Sequence, residues 1–333
     1  MPIPVSLIID DGAPLINVYW WHAAEHQKSD APVLKSGEAV AKDVAPDFIR
    51  DFVGVIGRWG IRGKFSVLPY PAGLGKLATG WPGCDMRALK AWLNAVRSQV
   101  MPLMDITPEM LTHARTLDLD TLTLLDENER DWASHQTAAT LTPYIATALR
   151  FLNEARLEAT GVTSPWDFAR EVEPEYQRAI LAAMKEVNHC GRTWYFLHAV
   201  TTGTEFLSKV VLREGDDWLV SIVSQCPDFL WQTMDTRDET SDYVRSVADQ
   251  YVTEDGRNGR LAELFGAGCP VVFHTHWQSM YSNGRRTGLR ALDEVGRRIH
   301  AAWGEQVRWL KCSELAAEAA DGRWEAIHAV SGG

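Results

Sequence analysis

The sequence predicts an α/β fold, a (β/α) barrel of seven or eight parallel strands with an inserted β-hairpin region. Short apolar runs alternate with amphipathic helical patterns, at a spacing typical of parallel βαβ units. A chain of 333 residues is long enough to form one large barrel. It contains neither a GxGxxG turn after a strand nor a Walker loop, which disfavours an open nucleotide-binding sheet. We therefore expect a single domain over residues 1–333, with the insertion around 205–235.

The first part of the chain supplies strand and helix patterns in alternation. The apolar run in SLIIDDGAP (6–14) ends at two carboxylates and turn residues, which is typical of a buried strand. In 46–61 the apolar residues recur at helical spacing: Phe48, Phe52, Val55, Ile56 and Trp59. The next patterns predict strands over 63–71 and 101–107, with a helix over 85–100 between them.

The remaining elements follow the same alternation with one interruption. A helix is expected over 142–161, with Thr142 as N-cap, Pro143 in the first position and Gly161 just past the end. In 205–235 two β-type runs flank EGDD, which predicts a hairpin. The other patterns predict strands over 162–168, 193–200 and 269–276, helices over 174–191, 241–252, 258–266 and 288–304, and a strand followed by a helix over 306–320.

Composition narrows the classes of partner. The net charge of −11 argues against a nucleic-acid partner and against an anionic membrane surface. No apolar run reaches the roughly 18 residues that span a bilayer, and the N-terminus lacks the features of a signal peptide. The five cysteines are scattered, odd in number and without a CxxC pair, so we expect reduced thiols in a cytoplasmic protein. Nothing in the sequence specifies an oligomeric state.

Polar residues follow many of the predicted strands. In a barrel, the carboxyl ends of the strands form one face, where the chemistry is located. The residues at these positions are Asp10 and Asp11, then Asp105, Glu109 and His113, then Trp166 and Asp167, then Asp235 and Asp238, and finally His274 and His276. Their recurrence predicts a site at that face.

Two pairs of residues are candidate metal ligands. Glu109 and His113 are four residues apart, so on a helical turn both would reach a common ion, with Asp11 as the third ligand. Carboxylate and imidazole ligands suit Zn²⁺ or Mn²⁺. His22 and His26 have the same spacing, with Glu25 beside them, and spacing alone does not rank the two pairs.

Several motifs resemble those of the polysaccharide deacetylase superfamily, whose members are distorted (β/α) barrels and metal-dependent carbohydrate esterases. LIIDDGAP is similar to the family motif TFDDGP, which implies Asp10 as the base and Asp11 as a metal ligand. PDFLWQTMDTRD is similar to a family strand that ends in a Trp and two aspartates, with Asp235 and Asp238 in the matching places. CPVVFHTH resembles the late LxH motif, which implies His274 as the general acid.

Two positions depart from the family pattern. The metal motif HxxxH corresponds here to EMLTH, with Glu109 in place of the first His. The RxPY motif, whose Arg orients the base, corresponds to TSPW, with Thr163 in place of Arg. The second change removes a permanently charged guanidinium from the expected neighbourhood of Asp10.

Together these observations predict a metal-dependent hydrolase, deacetylase-like, acting on a carbohydrate or related small substrate. Asp10 and a divalent metal, expected to be zinc, would activate water, and His274 or His276 would donate a proton. His274 and His276 have the same strand parity and are expected to point into the barrel. Trp166, Trp277 and Tyr281 would line a groove for a sugar ring. A metal-free glycoside hydrolase using two carboxylates and a non-catalytic carbohydrate-binding relative are the alternatives.

Overall fold

Strands and helices alternate along the chain. The computed structural model describes residues 1–15, 27–29 and 31–324. The strands in these ranges are β1 (Ile3–Gly12), β2 (Gly63–Val67), β3 (Met104–Pro108), β4 (Arg115–Leu117), β5 (Leu124–Asn128), β6 (Gly161–Thr163), β7 (Arg192–Ala199), β8 (Lys209–Glu214), β9 (Asp217–Ser224), β10 (Val271–His276) and β11 (Val307–Trp309). The α-helices are α1 (Phe48–Trp59), α2 (Met86–Ala95), α3 (Glu129–Ala133), α4 (Ala138–Glu154), α5 (Glu173–Asn188), α6 (Ser241–Tyr251), α7 (Arg260–Gly266), α8 (Trp277–Tyr281), α9 (Thr287–Trp303) and α10 (Cys312–Ala320). The predicted mixed α/β class is confirmed.

Parallel pairing dominates two sheets. In the first sheet the strand order is β10-β1-β2-β3, and β11 pairs with the start of β1. In the second sheet the order is β6-β7-β9-β8, with β8 antiparallel to β9. Strands β4 and β5 form a separate antiparallel pair. The parallel strands place their carboxyl ends at one face of the molecule.

The two sheets meet at both edges. Between β3 and β6, isolated parallel bridges join Ile106 to Ala159 and Glu109 to Thr163. Between β9 and β10, the Gln225 N–H donates to the Val272 carbonyl at 2.8 Å. These contacts give the parallel strands the circular order β1-β2-β3-β6-β7-β9-β10. Isolated contacts at the two edges are not continuous ladders, so closure into a barrel stays a prediction.

The two faces of β1 pack against different parts of the molecule. Val5, Leu7 and Ile9 belong to the large core shared with α1 and α9. Ile8 belongs to a second cluster that joins β7, β9, β10 and α10 and includes Trp194, Phe196, Val220, Ile222, Val272, Leu315 and Ala316. Because side chains alternate along a strand, Asp10 shares the face of Ile8, which is turned toward the second sheet.

The start of helix α4 corrects one expectation. The helix begins at Ala138, with Thr137 as N-cap and Thr140 completing a capping box. Thr142 is an internal residue whose hydroxyl donates to the Ala138 carbonyl at 2.7 Å, and Pro143 lies inside the helix. A Thr-Pro pair resembles a helix start. However, the reciprocal hydrogen bonds of Thr137 and Thr140 place the N-terminus of this helix five residues before Thr142. The helix ends at Glu154, so Gly161 begins β6 instead of terminating a helix.

The predicted hairpin is present, but its position in the sheet differs from expectation. Strands β8 and β9 flank the turn at EGDD. However, β9 also pairs in parallel with β7 and is one of the strands in the circular order. Of the two hairpin strands, only β8 is therefore an insertion into the series of parallel strands. The segment Phe229–Thr233 after β9 is a 3-10 turn.

No pair of cysteines is joined. Cys226, Cys269 and Cys312 are buried, and Cys84 and Cys190 are partly buried. Burial raises the pKa of the Cys269 and Cys312 thiols to about 12, which suppresses the reactive thiolate. Among the described helices, none combines the length and apolar character that a bilayer span requires.

The cysteine environments predict a two-stage thiol titration. In the native protein at pH 7.5, only Cys84 and Cys190 should react readily with a thiol reagent, because the other three are enclosed. After unfolding without reductant, all five should react. A sample reduced before unfolding is the control and should give the same total. A total of one or three free thiols in the unreduced sample would contradict the assignment.

Candidate active site

A cavity of about 920 Å³ opens where the carboxyl ends of several parallel strands come together. Many of the residues that the sequence analysis selected line it, namely Asp10, Asp11, Glu109, His113, Trp166, Asp167, His274 and His276. They come from β1, β10, the segment after β3 and the segment after β6. Parallel pairing thus brings residues that are distant in sequence to one place.

Asp11, Glu109 and His113 form a cluster at this cavity with the composition of a metal site. One ligand atom from each of the three lies within 4.8 Å of the others, and all three residues are buried. His113 Nε2 is 3.3 Å from Asp11 Oδ1 and 3.5 Å from Glu109 Oε1. Two carboxylates and one imidazole are ligands that suit Zn²⁺ or Mn²⁺.

The segment that carries Glu109 and His113 is not the helical turn that their spacing suggested. Glu109 continues from β3, and Met110 and His113 have left-handed backbone with φ of 43° and 49°. The left-handed conformations at these two residues turn the chain back, so that the His113 side chain faces Glu109. The two side chains therefore meet, but through an irregular loop and not through helical periodicity.

Hydrogen bonds hold the two carboxylates in place. The Asp11 N–H donates to Glu109 Oε2 at 2.6 Å, and the Ser66 hydroxyl donates to the same oxygen. The Gln278 amide donates to Asp11 Oδ2. Gly12 permits the close approach of β1 to β2, because a Cβ there would lie 2.2 Å from the Ser66 carbonyl oxygen. This explains the glycine that follows the two aspartates.

Several residues at the cavity have unusual backbone conformations. Asp11, Trp166 and Asp167 have positive φ values of 67°, 44° and 66°, as His113 does. Such conformations cost about 1–3 kcal/mol each and persist only where surrounding contacts fix them. Trp166 meets the His113 ring edge-on, with centroids 4.2 Å apart. The concentration of this strain makes the cavity a candidate functional site.

The electrostatics of the cluster fit a bound cation. Burial, together with the charges of Asp11 and Asp10, raises the pKa of Glu109 well above its usual range. Burial lowers the pKa of His113, which favours the neutral imidazole that binds metals. Asp11 Oδ1 is buried and accepts no hydrogen bond from any residue that the structure describes. A divalent cation would satisfy this oxygen and relieve the repulsion between the carboxylates.

A buried lysine, which the sequence analysis missed, neutralises Asp10. Lys64 is fully buried, forms an ion pair with Asp10, and donates to Thr163 Oγ1 at 2.6 Å. Burial alone would raise the pKa of Asp10, but the Lys64 charge and hydrogen bond hold it below its ordinary value. Lys64 comes from β2 and Thr163 ends β6, so the hydrogen bond between them joins two strands beside Asp10. The signal in the sequence was a lone lysine inside the strand pattern GKFSV.

His274 and His276 lie on the same side of β10 as Asp10 on β1. In the register of the two strands, Ile8 is opposite His274 and Asp10 is opposite His276. His274 Nδ1 shares a 2.7 Å hydrogen bond with the Ser224 hydroxyl, and burial lowers the pKa of His274. The two imidazoles therefore share a face, as their parity predicts.

His276 differs from His274 because it has an acidic partner. Its Nδ1 lies 2.8 Å from Asp228 Oδ2. Burial opposes protonation, but the hydrogen bond and charge of Asp228 raise the pKa of His276 to about 10. Its ring also meets Trp231 edge-on, with centroids 4.8 Å apart. At neutral pH this imidazole is protonated and faces the cavity.

The structure places Asp235 and Asp238, which were predicted as site residues, away from the cavity lining. Neither lines the cavity among the residues described there. Asp235 accepts a hydrogen bond from the Lys35 N–H, and Asp238 is exposed and bonds to Thr240 at the start of α6. The chain turns at Phe229–Thr233 after β9, which brings Asp228 to the cavity and carries the later aspartates away. Asp228 was not predicted from the sequence, because the apolar pattern of the strand continues through this turn.

Trp277 and Tyr281 are also corrected, because they are core residues. Trp277 is fully buried against Phe48, Phe52 and Phe65, and its indole N–H donates to the Ala13 carbonyl at 2.9 Å. Tyr281 is buried against Phe48. Helix α8 turns both rings away from the cavity, so they cannot stack on a substrate there. The alternative ligands His22 and His26, with Glu25, lie outside the described residues.

No protein-family model matches the sequence, and no curated protein sequence matches it. Among solved structures, the chain is distantly similar to a 4-alpha-glucanotransferase from Thermococcus litoralis, with a TM-score of 0.45 and 11% sequence identity. The alignment covers 95% of this chain and 40% of that chain, so this chain spans less than half the length of that enzyme.

The Lys64–Asp10 pair predicts a large loss of stability when the lysine charge is removed. Lys64→Met leaves Asp10 buried without a cation and should lower the free energy of unfolding by about 3–5 kcal/mol. The matched control is Lys76→Met, which breaks the partly exposed pair with Glu154 and should cost about 1 kcal/mol or less. Urea unfolding at pH 7 measures both. Equal losses in the two variants would contradict a dominant role for the buried pair.

The His276–Asp228 pair predicts a pH-dependent contribution to stability. His276 has a pKa of about 10 in the folded protein and about 6.5 when unfolded. The pair's contribution is therefore complete below pH 6.5 and is lost as pH rises through 10. The stability difference between wild type and Asp228→Asn should be largest at pH 6 and shrink toward pH 10 in urea unfolding. A difference that is constant or grows over this range would contradict the assignment.

Proposed function

We propose that the protein is a metal-dependent hydrolase that removes an acyl group from a carbohydrate or related small substrate. The observation that carries this proposal is the cluster of Asp11, Glu109 and His113 beside Asp10 at the base of the cavity. We also propose that the parallel strands, in the order given above, form a distorted seven-stranded barrel around this site. The resemblance of the DDG and FHTH motifs to those of carbohydrate deacetylases agrees with both statements.

Asp11, Glu109 and His113 are the residues that would hold the metal. A divalent ion held there would supply Lewis acidity for a carbonyl group and for a water molecule. Glu109 takes the place of a histidine in the resembling motif, so the site has two carboxylates and one imidazole. This harder donor set admits Mn²⁺ as well as Zn²⁺.

Asp10 is the proton acceptor in this proposal. It lines the cavity, whereas Lys64 lies fully buried behind it. The lysine keeps Asp10 ionised and fixes its orientation, so Asp10 can take a proton from the attacking water. The reaction then adds the water oxygen to the carbonyl carbon.

His276 is the proton donor. Asp228 holds its imidazole protonated, and the strand register places it opposite Asp10. It can therefore protonate the leaving oxygen or nitrogen as the bond to the acyl carbon breaks. His274 lies two residues earlier on β10, with its ring centroid 5.9 Å from that of His276, and is hydrogen-bonded to Ser224.

Two tryptophans on the cavity wall favour a sugar as the substrate. Trp166 and Trp231 line the cavity together with the apolar residues Pro165, Phe196 and Leu197. Aromatic faces suit the apolar C–H faces of sugar rings, and the carboxylate of Asp167 at the same wall can accept hydroxyl hydrogen bonds. The mixed apolar and acidic lining agrees with a neutral, hydroxyl-rich ligand.

The test combines metal binding with activity on acylated sugars. The purified protein should bind one Zn²⁺ or Mn²⁺ and release acetate from acetylated mono- or oligosaccharides. A chelator should abolish the release, and added metal should restore it. His113→Ala should bind the metal much more weakly and lose at least about 100-fold in rate, because only two of the three ligands remain. His135→Ala, a change at an exposed histidine away from the cavity, is the control and should match wild type.

Two outcomes would overturn the proposal. One is cleavage of glycosidic bonds that a chelator does not affect, which would identify a metal-free glycoside hydrolase. The other is tight binding of oligosaccharides without any turnover in the presence of either metal, which would identify a binding protein.

A further inference from the structure

The loop between β3 and β4 has few regular hydrogen bonds of its own, although it carries His113. Its residues 111–113 form neither a helix nor a strand. Their backbone N–H groups are buried and need acceptors, because an unpaired buried donor is costly. The way in which these donors are satisfied therefore determines where His113 lies.

One carboxylate satisfies all three donors. Glu129 Oε1 accepts from the N–H groups of Leu111 and Thr112 at 3.1 and 2.9 Å, and Oε2 accepts from the N–H of His113 at 2.7 Å. The Glu129 N–H in turn donates to the Ala114 carbonyl at 3.0 Å. Glu129 is thus hydrogen-bonded to four consecutive residues of the loop, 111–114.

The surroundings of Glu129 fix the position of its carboxylate. Its residue exposure is 0%, and the Tyr144 hydroxyl donates to Oε1 at 2.6 Å from helix α4. Glu129 begins helix α3 directly after β5, and β5 pairs with β4. The carboxylate therefore connects the loop to two helices and to the base of the β4–β5 hairpin.

We propose that Glu129 is a positioning residue that fixes His113 in its left-handed conformation and so completes the three-ligand metal site. The proposal rests on the metal site of the proposed function. Without the carboxylate, the N–H groups of residues 111–113 would lose their acceptors. The strained φ of 49° at His113 would then relax, because those hydrogen bonds no longer fix it. His113 Nε2 would then move away from Asp11 and Glu109.

The experiment measures Zn²⁺ affinity directly by competition titration with a chromophoric chelator. In Glu129→Gln, an amide NH₂ replaces one acceptor oxygen and opposes the backbone donors. The Kd for Zn²⁺ should rise about 10- to 100-fold, the range found when groups that orient metal ligands are changed. Tyr144→Phe is the matched comparison, because it removes one donor to the same carboxylate, and the acceptor of the Leu117 N–H, but leaves the three backbone bonds of Glu129 intact. Its Kd should rise less than that of Glu129→Gln.

A double-mutant comparison separates a positioning role from a general loss of stability. In a His113→Ala background, adding Glu129→Gln should not change the Kd further, because Glu129 acts through His113. A merely structural role would weaken binding equally in both backgrounds. Unfolding midpoints of all variants are measured in parallel. A further weakening in the His113→Ala background would overturn the proposal.

The remaining outcomes distinguish this inference from the proposed function. If wild type binds no Zn²⁺, the proposed function fails and this inference fails with it. If wild type binds Zn²⁺ and Glu129→Gln binds it equally, only this inference is overturned. If Glu129→Gln does not fold, Glu129→Asp is used, which keeps the charge but is one methylene shorter and cannot reach all three donors. It should also weaken Zn²⁺ binding, and wild-type affinity in that variant would overturn the proposal.

Discussion

The burial of three carboxylates at one point is the constraint on which the rest of the site depends. Asp10, Asp11 and Glu109 are each no more than 5% exposed, and they lie together at the carboxyl ends of β1 and β3. Isolated buried charges are very costly, so each must be paired or neutralised. Lys64 pairs with Asp10, whereas Asp11 and Glu109 face each other and His113. The divalent cation of the proposed function would offset the remaining negative charge.

The fold creates this constraint through strand alternation. The odd-numbered residues Val5, Leu7 and Ile9 of β1 pack in the outer core, which leaves the even-numbered face free for Ile8 and Asp10. Parallel pairing with β2 and β10 then sets Lys64 and His276 around the same point. Asp11 departs from regular strand geometry through its positive φ, so it too reaches the cavity. The position of Asp11 therefore depends on its strained backbone, whereas the positions of Lys64 and His276 depend on regular strand pairing.

The sequence predicts those parts of the site that depend on short-range pattern. The strand that ends at Asp10 and Asp11, and the shared parity of His274 and His276, follow from the alternation of apolar and polar residues within a few positions. The mixed α/β class follows from the same patterns. The partners of Lys64, Asp228 and Glu129 could not be predicted, because they lie 54, 48 and 16 to 18 residues away in the sequence. Trp277 was misassigned for the same reason, since only the packing of three phenylalanines shows that it belongs to the core.

Anomalous X-ray diffraction tests the central claim most directly. Crystals grown with Zn²⁺ and measured on both sides of the zinc absorption edge locate the ion without reference to activity. The account predicts one strong peak per chain, in contact with Asp11, Glu109 and His113. The absence of a peak there, with Glu109 directly hydrogen-bonded to Asp11 through a shared proton, would contradict it.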